Sequence, residues 1–418
     1  MPSDDPIADR DIAEHRMGSA FRHRGYALYW AARFVSMFAI QIVSVSIGWQ
    51  IYDMTRDPFD LGLVGLVQFL PALLLVLVTG AVSDRYNRRL IMAVCLLAEG
   101  ACAAALLGLT VAGPSAVWPI FVVLTFFGIA RAFVGPAAQS LVANLVPPED
   151  LNNAIAWNTS SWQIGTIVGP VAGGLLYGIS AGTALATALT LFSLGAVLML
   201  FVPRPVQKTV PQKSNWETLL AGFRYVWREK VVLGAISLDL FAVLLGGAVA
   251  LLPVYARDIL DVGPWGLGLL RAGPGIGAVA VALYLAKRPI RDHAGLAMFV
   301  FVAAFGFFTV VFGLSTIVWL SVAALMLMGA ADMISVYIRE TLLQLWTPDS
   351  VRGRVNAVNL VFIGASNELG EFRAGISAAL IGTVPAVVVG GMGTMAVAGI
   401  WAYLFPALRR ARHLTGRV

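Results

Sequence analysis

Charge is scarce in this 418-residue chain: 12% of its residues are Asp, Glu, Lys or Arg and 59% are hydrophobic, where a soluble domain carries roughly 25% charged residues and about half apolar ones. That scarcity, with a mean hydropathy of +0.81, excludes a protein that buries its apolar surface in a water-soluble core. Cysteine is nearly absent. The two present, Cys95 and Cys102, are seven residues apart in one apolar run; about 10 Å of helical rise separates them, too far for a disulfide. The four histidines are scattered, no H-E-x-x-H occurs, and there is no G-x-x-x-x-G-K-[ST] nor any Gly-Lys pair. A metal-dependent membrane enzyme and an ATP-driven pump both lose their expected motifs, so no cofactor and no metal is expected. No short apolar core with a small-residue cleavage site precedes the first long run, so no cleaved signal peptide is expected. The net charge of +6 does not point to nucleic acid, because the basic residues sit between apolar runs rather than in a patch.

Long apolar runs are what the chain does contain. Bounded by charge, Gly and Pro, they predict an all-α polytopic membrane protein with spans near 27–52, 61–83, 90–112, 116–143, 155–180 and 183–202, then 231–256, 264–286, 294–313, 316–344, 355–381 and 384–405. Each can cross a hydrocarbon core of roughly 30 Å. Lys and Arg gather on one side: Arg22 and Arg24; Arg85, Arg88 and Arg89; six between Arg204 and Lys230; Lys287, Arg288 and Arg291; Arg352 and Arg354; Arg409, Arg410 and Arg412. The other side has Arg56 and Arg257. The excess marks the cytoplasm, so both termini are expected there, in an inner membrane. The division expected is a tail 1–25, a six-helix half 26–202, a linker 203–230, a second half 231–406 and a basic tail 407–418. In the linker Trp216, Leu219, Leu220, Phe223 and Trp227 recur at helical intervals, and Ser214 with Glu217 has capping-box spacing. Two readings stand: a helix lying on the membrane face, or one packed on the protein's own cytoplasmic ends.

The halves repeat. At one offset of 201, Gly128 matches Gly329, Pro147 matches Pro348, Ala156 matches Ala357, Gly169 matches Gly370 and Gly174 matches Gly375. Parallel repeats of this kind belong to carriers with a site between the halves. "GAVSDRYNRR" (Gly80 to Arg89), "RAFVG" (Arg131 to Gly135) and "GTIVGPVAGG" (Gly165 to Gly174) then resemble three motifs of the major facilitator superfamily, the last associated with drug and proton antiporters. "ARF" in the first span and "LLAGFRYV" after the linker are similar to its enterobactin-exporter and macrolide-efflux branch. The second half departs: "AKRPIRDHAG" lacks the aspartate–arginine pair.

The resemblance implies a conformational latch at Gly80, Asp84, Arg85, Arg88 and Arg89, with Asp84 facing the start of the eleventh span while the cytoplasmic side is shut. The spacing of Asp84 and Arg88 puts both on the first turn of the third helix; the plainer reading has the arginines only set topology. Ionisable groups deep in the membrane are functional candidates: Arg131 and its repeat equivalent Asp332, and Glu368, Glu371 and Arg373 in the eleventh span. Two carboxylates three apart on one face repel and can share a proton, as proton coupling needs; alternatively Arg373 neutralises one, or Arg131 and Asp332 form a structural pair. Arg33, Gln41, Asn158, Gln163, Asp239 and Arg271 are candidate cavity-lining residues, Arg33 also fitting a snorkelling role. Gly135, Gly165, Gly169, Pro170, Gly173 and Gly174 are candidates for close helix packing or a hinge. The expected protein is a monomeric secondary transporter, embedded in the lipid bilayer, that exports a small amphipathic molecule in exchange for protons. Proton-driven uptake is the alternative; a sensor or scaffold is disfavoured by the intramembrane charges.

Overall fold

A backbone in hydrocarbon must satisfy its own N–H and C=O groups within the segment, so long apolar runs become helices. The computed structural model of the chain describes residues 18–113, 116–204, 216–290 and 292–411. Ser214 and much of the expected tails and linker lie outside these. The long helices are α1 (Arg24–Thr55), α2 (Pro58–Arg85), α3 (Arg88–Ala112), α4 (Trp118–Leu145), α5 (Leu151–Ile179), α6 (Ala181–Phe201), α8 (Lys230–Gly246), α9 (Gly263–Lys287), α10 (Ala294–Leu314), α11 (Val318–Trp346), α12 (Asp349–Ile381) and α13 (Thr383–Leu404), with the shorter α7 (Trp216–Arg228) between α6 and α8. Among the described residues no strand occurs.

Among the described residues ten stretches are long and apolar enough to cross a membrane, the stretch Lys230–Ile259 counting as one. The two long helices below that apolarity are α5 and α12, partners in the 201-residue repeat, and with them the count fits the twelve spans expected. Their polarity comes from residues such as Asn152, Asn158 and Gln163 in α5 and Asn359, Asn367, Glu368 and Glu371 in α12.

Packing divides the chain into two units: Met1–Val43, Leu70–Gly169 and Ser180–Gln212 in the first, Ser44–Phe69, Pro170–Ile179 and Lys213–Val418 in the second. The division therefore passes through α1, α2 and α5. In α2 it falls just before Pro71 and in α5 between Gly169 and Pro170, where a missing amide donor interrupts the helical ladder.

In the first unit, α3 and α6 close over Gly100, whose missing side chain leaves room for Phe192; the Phe192 ring meets Phe127 edge-on at 5.9 Å. The chain before α1 and the first two turns of α1 are stapled to the start of α5: the Ala20 amide donates to Asn153 Oδ1 at 3.2 Å, the Tyr26 hydroxyl to the Ala154 carbonyl at 2.7 Å and the Trp30 indole to the Trp157 carbonyl at 3.0 Å. His23 Nε2 lies 2.7 Å from Asp150 Oδ2. Hydrogen bonds from Ser19 and His23 hold the Asp150 carboxyl below the usual carboxylate range. A carboxyl depressed in the folded state stabilises above its unfolded value of about 3.9 and ceases to as pH falls through the depressed folded value. Hydrogen-exchange protection of the Ala20 and Phe21 amides is thus expected at neutral pH, lost in strong acid, and reduced at every pH in Asp150→Asn.

In the second unit the seventh span departs from the continuous helix expected at 231–256. α8 stops at Gly246; Gly247 takes non-helical angles, and the chain resumes as a 3-10 turn (Val249–Leu251), one α turn (Leu252–Val254) and a π turn (Tyr255–Ile259). Two adjacent glycines weaken the helix, and Pro253 supplies no donor beyond it. α12 occupies the gap through Gly370, so that a Cβ on Gly247 would stand 2.8 Å from the Gly370 carbonyl. Helix α7 packs on the protein itself: Gly222 abuts the Arg354 carbonyl, Phe223 meets Phe362 at 5.7 Å, and the Tyr225 hydroxyl donates to the Trp346 carbonyl at 3.3 Å. Of its face, Trp227 stays largely exposed.

Candidate functional site

The break in α8 leaves the Leu245 carbonyl without a helical partner, and Arg373 takes it. Arg373 Nη2 donates to the Leu245 carbonyl at 2.5 Å and the Thr394 hydroxyl to the Ala242 carbonyl at 2.9 Å. Arg373 therefore engages the broken helix end, and it forms no ion pair with either glutamate among the described residues. Beside the break lies a cavity of about 160 Å³, with Gly246 and Gly247 from α8, Pro274 from α9, Asp332 from α11, and Asn367 and Glu371 from α12 on its walls. One wall is unwound backbone and two others carry carboxylates, the arrangement by which discontinuous helices serve transported ions and solutes.

Charges cluster around this cavity. Arg271 on α9 is the cation facing Glu371. Glu368 and Glu371 both reach the same point on α2: a Cβ on Gly65 would meet their Oε2 atoms at 2.9 and 3.2 Å. Asp239 on α8 is paired with Arg339 on α11, the two 8% and 3% exposed. Asp332 faces both of them, and Glu340 Oε1 lies 3.7 Å from Arg339 Nε, so two acids and the partly exposed Glu340 share one buried base. Arg339 was absent from the candidates drawn from sequence, although it follows Asp332 by seven residues on the same helical face.

In the first unit Arg33, Arg131 and Asn158 come from α1, α4 and α5. Arg33 and Asn158 face the Tyr29 hydroxyl, which donates to the Ala138 carbonyl at 3.2 Å. Arg131 and Arg33 both face Glu99 on α3, a second group that sequence reasoning missed; its signal is a single acid inside an apolar run. Arg131 and Asp332 belong to different units, and each has charged neighbours in its own. Gln41 is half-buried against Gly169, as Met37 is against Gly165, so these two glycines admit α1; Gln163 is half-buried on α5. Gly173 is buried, and the approach continues at Gly174, which meets Pro264 and Gly268 of α9. Gly80 and Gly135 have open space where a side chain would stand, so neither is a packing glycine in this conformation.

The motif "GAVSDRYNRR" spans a helix break. Asp84 sits in the last turn of α2, not on the first turn of the third helix as its spacing predicts, because Asn87 caps α3 by accepting from the Arg89 amide at 3.1 Å. Arg88 stays 3.9 Å from Asp84 and donates instead to Asn144 Oδ1 at 2.7 Å and to the Ser83 and Ser140 carbonyls. Arg89 donates to the Leu200 carbonyl at the end of α6 at 2.5 Å, and Arg85 lies over Tyr86. Asp84 itself is 52% exposed.

At the other end of the helices, both basic residues of the sparsely charged side are paired within the second unit. Arg257 binds Asp53 and lies over Trp49, Arg56 Nη1 is 3.1 Å from Asp258 Oδ1, and Tyr52 donates to Asp258. Among the described residues no group of three His, Cys, Asp or Glu is placed to hold a metal ion.

Over residues 17–413 the chain matches the family described as transmembrane secretion effector. It is 27% identical over 413 residues to the enterobactin exporter EntS of Shigella boydii serotype 18 and of Escherichia coli O139:H28, with 95% of this chain and 95% of each relative covered. Among solved structures it is similar to a bacterial homolog of the human lysosomal transporter Spinster in an inward-facing, unoccupied conformation, with a TM-score of 0.66 and 14% identity over 92% of this chain and 95% of that one. It is also similar to a POT family transporter in complex with 5-aminolevulinic acid, with a TM-score of 0.72 and 13% identity over 92% and 96%. At these identities the structures establish a shared transporter fold.

Proposed function

The chain belongs to the transmembrane secretion effector family of major facilitator transporters, a multi-pass membrane transporter and not an enzyme, and from that premise we propose that it exports a small amphipathic molecule in exchange for protons by alternating access. Enterobactin, named for its relatives, is the first substrate to try. The observation that carries the reading is the placement of Asp332 and Glu371 on one cavity beside the unwound stretch of α8. A carboxyl there can hold either a proton or the polar part of a substrate, and competition between the two is what exchange requires. Arg271 tunes Glu371; Asp239 and Arg339 set the charge around Asp332. Glu368 extends the pair towards α2. Gly80, Asp84, Arg85, Arg88 and Arg89 serve as the latch, with Asp84 as its switching member. Pro170 serves as a hinge in α5. The working form is a monomer in the inner membrane with both termini cytoplasmic, and the two six-helix halves, 26–202 and 231–406, are its functional domains.

Proteoliposomes with an imposed pH gradient test this, using enterobactin as probe. Wild type is expected to accumulate it against its gradient, whereas Glu371→Gln and Asp332→Asn equilibrate it without accumulation and still catalyse substrate exchange. Accumulation undiminished in both variants would remove the coupling assignment, and accumulation only when the gradient is reversed would make the protein an importer.

A further inference from the structure

A buried carboxylate of the first unit lies outside every role assigned above. Glu99 on α3 is 1% exposed, and neither of its carboxyl oxygens has a hydrogen-bond partner. Arg131 faces it from α4 and Arg33 from α1. On its own helix the thiols of Cys95 and Cys102 stand about one turn before and after it, both within its field. The remaining neighbour, α6, packs beside it through Phe192 and Leu189 and contains no titratable residue. An ionised carboxylate shut away without a donor carries a heavy desolvation cost, and positive charge on two neighbouring helices offsets it only in part. Such groups are seldom retained inside a membrane helix for packing, since Leu or Gln would fill the space without that cost.

We propose that Glu99 is a proton-binding site of the first unit, its carboxyl taking up and releasing one proton with Arg131 and Arg33 as counter-charges. The step moves a single proton between water and a carboxyl oxygen, and no other bond changes. Two features set the route. Arg131 lies on an exposed position of α4, giving water a charged group to follow. On the opposite flank Cys95, Cys102, Ala98, Ala101 and Phe126 line an apolar groove of about 490 Å³, which offers a proton no polar relay. The inference does not rest on the export reading, because the site is complete within α1, α3 and α4 and its occupancy can be read without any substrate.

The test is infrared spectroscopy of the purified full-length protein as a function of pH. In wild type the carboxylic-acid C=O band is expected to lose intensity as pH rises, one group's share of it from Glu99. The S–H stretches of Cys95 and Cys102, the only cysteines in the chain, are expected to shift in step as charge appears between them. Glu99→Gln is expected to remove that share and to abolish the thiol shift, while Glu371→Gln and Asp332→Asn leave the thiol shift intact. Thiol bands that stay fixed across the pH range in wild type would overturn the proposal, even if Glu99→Gln failed to fold, because a permanently neutral structural acid gives that result. A thiol shift that persists in Glu99→Gln would overturn it equally.

Discussion

Replacing Arg339 by leucine is expected to destabilise the protein by about 3–5 kcal/mol, the range for removing one partner of a buried ion pair. The geometry puts Arg339 at the upper end. Its guanidinium is the counter-charge for Asp239 and faces Asp332 as well, so its loss leaves two acids facing each other on α8 and α11. The two-residue variant Asp239→Leu with Arg339→Leu is expected to recover most of the loss, since buried pairs are often replaceable by apolar side chains. Thermal unfolding in detergent, followed for the single variant, the double variant and Arg339→Leu combined with Asp332→Asn, gives the comparison. The last should lie between the first two, because it removes one of the two stranded charges. A single variant as stable as wild type would mean that the three groups do not act as one electrostatic unit.

Gly375→Val is expected to have the second large effect, and on function before stability. A Cβ at Gly375 would stand 2.8 Å from the Gly62 Cα and 2.9 Å from the Pro58 carbonyl; all are backbone atoms of α2 and cannot turn aside. Overpacking of this kind costs about 1–3 kcal/mol in ordinary cores, and less relief is available here. The same closeness recurs between α5 and α9 at Gly174 and Gly268. If these contacts exist in only one state of the transport cycle, a loss of about 3 kcal/mol shifts the balance between states more than a hundredfold. Transport should then fall to background, and a cysteine introduced at Phe59, beside Phe372 at 6.1 Å, should become open to a membrane-impermeant maleimide. Unchanged transport together with unchanged labelling would show that the glycine contact is incidental.

Helices, their repeat and the family were legible in the sequence because each rests on local signals: apolar length, glycine and proline at fixed offset, and short motifs. The charges around the cavity were legible only in part. Asp332 and Glu371 stand out as acids in apolar surroundings, but their shared cavity depends on the unwinding at Gly246 and Gly247, which hides inside a run that reads as one span. For the same reason Arg373 looked like a partner for Glu368 or Glu371, five and two residues before it along the chain, when its hydrogen bond goes to a carbonyl that only the break releases. Asp84 was placed in the wrong helix because Asn87, a good capping residue, outweighs the four-residue spacing to Arg88. Glu99 carried a legible signal of its own, whereas its counter-charges come from two other helices and have no trace in the local sequence.

The passage of the unit boundary through α1, α2 and α5 also bears on how the protein is made. Ser44–Phe69 and Pro170–Ile179 pack with helices that leave the ribosome last, so the first six spans cannot complete their own packing when they enter the bilayer. The segments Ser44–Phe69 and Pro170–Ile179 must wait, inserted but unpartnered, until α9 and α12 arrive. Contacts joining such distant parts of a chain form slowly, and quality-control proteases therefore have their longest opportunity at the start of α2 and the end of α5. Truncation after α6 is expected to yield a fragment that inserts yet is degraded, and supplying the second half as a separate chain should rescue it.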